Sequence, residues 1–167
     1  MSERASAPGG LALVEALVNT LEDITRDTDT LDSAEVRARF GITAAEVDAA
    51  RELRESLRAA CLAHADHPPH RAVTPLGDLL AKAPLRVAVD DRDGSAALVP
   101  VDDGPLLSRV AAAIAEAVKD GTWTRLKACE AEDCGWAFYD RSPAGRGRWC
   151  SMAVCGARAK MRRYRAK

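Results

Sequence analysis

Four of the five cysteines fall in the last 39 residues of this 167-residue chain, spaced Cys129-x4-Cys134-x15-Cys150-x4-Cys155. A segment of that size is too small to fold on a core of its own, so a cross-link must hold it. Two close pairs joined by a hairpin-sized spacer suit one tetrahedral Zn²⁺, each pair forming a knuckle whose thiolates converge on the metal. Such pairs more often enclose two or three residues, so the four-residue interval here makes larger knuckles. Two disulfides, or four unrelated buried thiols, would use the same residues. Disulfides need an oxidising compartment, and the stretch Leu11–Val18, interrupted by Glu15, is too short and too polar for a signal peptide or a membrane span. The expectation is a cytoplasmic protein with one closed, structural Zn²⁺ per chain, held by Cys129, Cys134, Cys150 and Cys155.

The charges are divided along the chain. Residues 121–167 hold 11 Lys and Arg against 4 Asp and Glu, a balance of +7, whereas the first 120 residues stand at −8. No acid occurs after Asp140. A basic end on an acidic body suggests that the end binds a polyanion. Its candidate contacts are Arg141, Arg146 and Arg148 in the turn-rich run Ser142-Pro-Ala-Gly-Arg-Gly-Arg148, then Arg158, Lys160, Arg162, Arg163, Arg165 and Lys167. A helix over Ser151 to Arg165 would put Val154, Ala157, Met161 and Tyr164 on one face with the cations on its flanks. These like charges have no acids at i+4 to offset them, so a polyanion would stabilise the helix.

Three runs in this region fall together: Trp136-Ala-Phe-Tyr-Asp140, Arg148-Trp-Cys-Ser-Met152, and Cys155-Gly-Ala-Arg158 with the basic tail. In order and spacing, residues 127–167 resemble the CGNR zinc finger, which closes a family of bacterial proteins regarded as transcription regulators. That family carries a mixed helical and β region, the ABATE domain, in front of the finger. The resemblance implies a zinc-dependent regulator and favours double-stranded DNA over RNA. The family's name-giving Asn is Ala157 here, so any turn cap or base contact made by that side chain is absent from this chain.

The body reads as mostly helical α+β. Residues 1–10 form a polar lead-in, 11–120 a helical domain with a β-hairpin, and 121–167 the zinc module. Leu13, Leu17, Leu21 and Ile24 predict a helix from Leu11 to about Ile24. Ser33 can cap a short helix to Phe40 that Gly41 ends, and Thr43 can cap a long one from about Ala44 to Ala65, with Val47, Ala50, Leu53, Leu57 and Cys61 inward. Its other face shows Arg51, Arg54, Glu55 and Arg58. A short helix covers Pro75 to Lys82. Leu85, Val87 and Val89 alternate, as do Ala97, Val99 and Val101, around the turn Asp90–Ser95, which makes a β-hairpin. That acidic turn is no EF-hand, because Val89 and Pro100 occupy the first and twelfth positions where acids are needed. Pro105 opens a last helix with Leu106, Val110, Ile114 and Val118 inward and Gly121 at its end. Trp123–Ala128 and Trp136–Tyr139 read as strands.

Elsewhere the sequence offers less. His64, His67 and His70 are evenly spaced, but Pro68 and Pro69 break the helix that would align them, so they read as an exposed loop. Cys61 reads as an inert core thiol. No Ser-His-Asp set, carboxylate pair or phosphate-cradling Gly loop stands out, which argues against an enzyme. Asn19 and Thr20 sit in an otherwise apolar helix and need hydrogen-bond partners. They form either a buried polar network or, with Arg54, a pocket for a small anionic ligand. The combined expectation is a homodimeric, zinc-containing regulator that binds double-stranded DNA, touches no membrane, and responds to such a ligand. An RNA- or ribosome-associated zinc protein, or a protein-interaction adaptor, is the alternative.

Overall fold

Helical periodicity sets most of the architecture, and two short hairpins complete it. The computed structural model describes residues 5–21 and 29–166, with an α+β fold and the element order α-helices α1 to α4, hairpin β1–β2, helix α5, hairpin β3–β4 and helix α6. Helix α1 (Leu11–Val18) buries Leu11, Val14, Leu17 and Val18. It is shorter than its apolar pattern suggests, and Leu13 is only half-buried. Asn19 leaves the helix and bonds the backbone of Ala137 from both ends of its amide, at 3.0 and 2.7 Å, a pairing that mid-helix solvation could not match. Ile24 lies outside the described residues.

Helix α2 (Ala34–Phe40) stops at Gly41, whose φ of +61° suits a residue without Cβ. Ser33 precedes it but makes no capping bond with its side chain. A capping box between Thr43 and Glu46 then starts a single 3₁₀ turn that runs into α3 (Val47–Ala63). Helix α4 is Leu76–Leu80, and α5 (Leu106–Lys119) buries Leu106, Val110 and Ile114. Val118, expected inward, is 59% exposed, so the buried stripe of α5 ends one residue earlier at Ala117. Strands β1 (Leu85–Val89) and β2 (Ala96–Pro100) pair antiparallel with Val87 opposite Leu98.

The second hairpin joins the two ends of the chain. Strand β3 (Leu126–Ala128) packs on α3, and β4 (Ala137–Tyr139) packs on α1. Leu126, Ala128 and Ala137 therefore share one core with Leu11, Leu57 and Val110, while Cys129, Ala131 and Cys155 start a small second cluster. Trp123–Arg125, expected as strand, is a 3₁₀ turn leading into β3. Helix α6 (Ala157–Arg165) follows a π-helical turn over Met152–Gly156, and the apolar stripe Val154, Met161 and Tyr164 stays exposed.

This packing moves several polar residues inside. Arg54 and Arg58, expected on the open face of α3, are 3% and 4% exposed. Both are covered because Asp29, Glu55 and the first cysteine knuckle close over that face. His64 is half-buried rather than in an open loop. Its Nδ1 lies 2.7 Å from the Leu126 carbonyl, and its ring meets Trp123 edge-on at 4.8 Å. Cys61 is fully buried, which pushes its thiol up to about 12 and leaves it inert. No helix among the described residues is long and apolar enough to cross a membrane.

Candidate metal centre and nucleic-acid surface

The turn after β3 carries Cys129 and Cys134, and the turn before α6 carries Cys150 and Cys155, so the second hairpin brings the two pairs face to face. All four Sγ atoms lie within 4.8 Å of one another, with Cys134 to Cys150 at 3.6 Å and Cys150 to Cys155 at 3.7 Å. Zn–S bonds of about 2.3 Å in a tetrahedron put sulfurs about 3.8 Å apart, so the donor set fits zinc. These gaps are far too long for S–S bonds of about 2.05 Å, and all five cysteines are free thiols. Hydrogen bonds from Cys134 and Cys150 pull Cys129 well below the usual thiol range and hold Cys134 and Cys150 well above it. Without a cation only part of this cluster can carry charge; one structural Zn²⁺ lets all four ionise.

Backbone and arginine contacts orient the thiolates. Cys129 N–H donates to the Trp136 carbonyl at 2.9 Å, and Arg158 donates to Cys155 Sγ at 3.2 Å. The second bond sets a positive charge beside a dianionic zinc tetrathiolate, and it raises Arg158 above its ordinary value. Ser151 caps the π turn through Val154 N–H at 3.3 Å. Ala157, where the family name has Asn, is an exposed residue opening α6.

Two buried acids escaped the sequence reading. Asp140 accepts from Ser142 N–H at 3.0 Å and Gly147 N–H at 2.6 Å and pairs with the buried Lys127 at 3.2 Å. Burial raises its pKa, but these hydrogen bonds outweigh it and hold the carboxyl well below the usual range. A Cβ on Gly147 would come within 2.9 Å of the Asp140 carboxyl, so this loop needs glycine there. Glu130, also buried, takes Arg148 at 2.6 to 2.8 Å and bonds its carbonyl at 3.1 Å. Together Asp140 and Glu130 fix both ends of the basic loop. The available signal was position: Asp140 is the last acid before an acid-free run.

The basic residues divide into two groups. Arg141 donates to the carbonyls of Ala5 and Ser6 at 2.7 and 2.6 Å and lies over the Tyr139 ring, Arg148 is tied to Glu130, and Arg158 pairs with Asp133 at 2.6 Å. Arg146, Lys160, Arg162, Arg163 and Arg165 are exposed, and their side chains have no partner among the described residues. Lys167 lies outside those residues.

In the body, Arg54 donates to Thr20 Oγ1 at 3.1 Å and to Asp29 at 2.8 Å. Asn19 and Thr20 also border a 590 Å³ cavity between α1, α2 and the metal centre, walled by Phe40, Trp136 and Cys150 among others; Arg54 stands behind Thr20. Arg58, which sequence reasoning left on an open face, links three parts of the chain. It donates to the carbonyls of Val18, at 3.0 Å, and of Gly135, between Cys134 and Trp136, and it pairs with Glu55 at 3.1 Å.

Such a centre, a closed tetrathiolate followed by a basic helix, defines a zinc-finger protein. Residues 125–167 match the CGNR zinc finger, and residues 11–121 match the family described as "Putative stress-induced transcription regulator", ABATE. The second match spans well over half of the chain, which belongs to the ABATE family. No curated protein matches it. The chain is therefore a zinc-binding member of a transcription-regulator family.

Proposed function

We propose that this protein regulates transcription by binding double-stranded DNA through residues 141–167. The supporting observation is that α6 leaves the fourth zinc ligand with Lys160, Arg162, Arg163 and Arg165 exposed and without side-chain partners among the described residues. Nine residues span about 14 Å, enough to lie across a major groove about 12 Å wide. Arg141, Arg148 and Arg158 are preorganised by internal partners and frame the surface. Most contacts go to phosphate and set position, and one or two arginines read guanine. Neutralising about 5 phosphates gives a slope of about −4.5 in log affinity against log salt, and a homodimer doubles it. Arg162→Ala flattens the slope by about one unit when it touches phosphate. Tighter binding to single-stranded RNA than to any duplex at matched salt would overturn this reading.

The cavity bordered by Asn19 and Thr20 is the proposed entrance for a small effector. Its occupant meets both hydrogen-bonded residues, with Arg54 acting through the Thr20 hydroxyl, and lies against Cys134 and Cys150. A compound that raises the melting temperature of wild type, with no effect on Ala16→Trp, which fills the cavity, supports the site. Equal shifts in both proteins would rule it out.

A further inference from the structure

A second cavity lies between the C-terminal half of α3, the loop 67–73 and the first cysteine knuckle. It measures 560 Å³, within the range of small-molecule sites, and its walls include Glu55, Arg58, His67, His70, Arg71 and, from the knuckle, Glu132. Its guanidiniums are unevenly paired. The Glu55 carboxylate alone takes Arg54 at 2.9 Å, Arg58 at 3.1 Å and Arg71 at 2.7 Å. Arg54 also donates to Asp29 and Thr20, and Arg58 to the Val18 and Gly135 carbonyls, so Arg71, whose one partner among the described residues is Glu55, is the guanidinium with donors to spare. Arg71 reaches Glu55 through one terminal nitrogen and its side chain is 55% exposed, so its remaining donors border the cavity mouth.

The two histidines add to this. Their rings stand 5.1 Å apart, and the His67 ring is tied through Nδ1 to the Pro68 carbonyl at 2.7 Å. His70 Nε2 is shut off from solvent and has no hydrogen-bond partner among the described residues. A buried polar atom of this kind costs about 1–3 kcal/mol unless something pairs with it. Pro68 and Pro69 stiffen the loop, so the imidazoles are held in place before any ligand arrives. Clustered guanidiniums beside imidazoles match the oxygens of a phosphoryl group, with its several strong acceptors and its dianionic charge.

We propose that this cavity binds a phosphoryl group, either free inorganic phosphate or the monoester of a small metabolite, between Arg71, Arg58 and His70. Glu132, also in the cavity wall, repels the ligand and weakens its binding. Because Arg58 also holds the Gly135 carbonyl, an occupied site bears directly on the first knuckle. The site does not depend on DNA recognition, and it can be tested without nucleic acid.

Isothermal titration of the zinc-loaded full chain with inorganic phosphate should give saturable binding at one site per chain, with chloride as control. Arg71→Gln should weaken it about tenfold, the loss of one charge-assisted hydrogen bond. Glu132→Gln should tighten it. The triple variant Lys160→Gln/Arg162→Gln/Arg163→Gln, which strips the exposed helix, should leave it unchanged. A His70 ring signal that moves with phosphate by NMR gives a second reading without any substitution. Repeating the titration with a sugar phosphate separates the sources: tighter binding assigns a metabolite monoester, weaker binding assigns free phosphate. Absence of saturable binding at about 10 mM, far weaker than the ordinary millimolar limit for a weak site, would overturn the proposal. Binding that Arg71→Gln leaves intact, or that only the helix variant abolishes, would also overturn it.

Discussion

Asp140 shows how much a single residue can organise. Its carboxylate gathers the start of the basic loop, through Ser142, its end, through Gly147, and the ammonium of Lys127 beneath it. Asp140→Asn should cost about 3 kcal/mol, mostly because Lys127 is left as a buried, unpaired charge. Lys127→Met in the same chain should recover part of the loss. Gly147→Ala should do comparable damage by a different route, since its new Cβ enters the space of the same carboxyl. The two changes break one arrangement, so the double variant should be little worse than either alone; full additivity in chemical denaturation would mean that they act separately. The pH dependence follows from the lowered carboxyl. A group with a depressed folded pKa stabilises fully above its unfolded value, near 3.8, and loses that contribution as pH falls through the folded value. The stability gap between wild type and Asp140→Asn should therefore be flat above about pH 5 and shrink in more acid solution. Taking the difference removes the protonation of the zinc thiolates, which both proteins share.

At the scale of elements, what the sequence disclosed depended on whether an element answers to its own residues or to distant ones. Helices α2, α3 and α5 and the first hairpin were legible because apolar spacing, Gly41, the Thr43 cap and Pro105 are local causes. The four cysteines were legible for the same reason, since ligand spacing is fixed along the chain. Helix α1 was overextended because its end depends on Ala137, 118 residues away, whose backbone captures the Asn19 amide. The polar side of α3 looked like a solvated face because Arg54 and Arg58 have the composition of one. The knuckle folding back over it, with the Gly135 carbonyl as acceptor, joins Glu55 and the Val18 carbonyl in making burial of Arg58 tolerable. Charge alone also could not sort the basic residues. Arg148 and Arg158 look like Arg162 in sequence, and it is Glu130 and Asp133, brought close by the zinc knuckles, that set them apart.

Over the whole molecule, the acidic body and the basic finger are joined more intimately than their opposite charges suggest. The β3–β4 hairpin contributes to the main core, and its far end carries the first two thiols. Arg58 fixes that junction by bonding the end of α1 and the Gly135 carbonyl within the first knuckle. Metal binding and folding of the body should then be linked, because each stabilises the hairpin that the other needs. Arg58→Met keeps the apolar length of the side chain but strands two buried carbonyls, and Glu55 retains Arg54 and Arg71. It should weaken zinc about 10–100-fold in competition with a chromophoric chelator, as loss of an outer contact to a metal site commonly does. Conversely, chelating zinc from wild type should lower the melting temperature of the α1–α3–α5 core, followed by hydrogen exchange in Leu57 and Val110. If Arg58→Met held zinc as tightly as wild type, and if exchange in those helices ignored the chelator, the finger would fold independently of the body. Signals from a ligand in either cavity would then have no route through this junction to the basic helix α6.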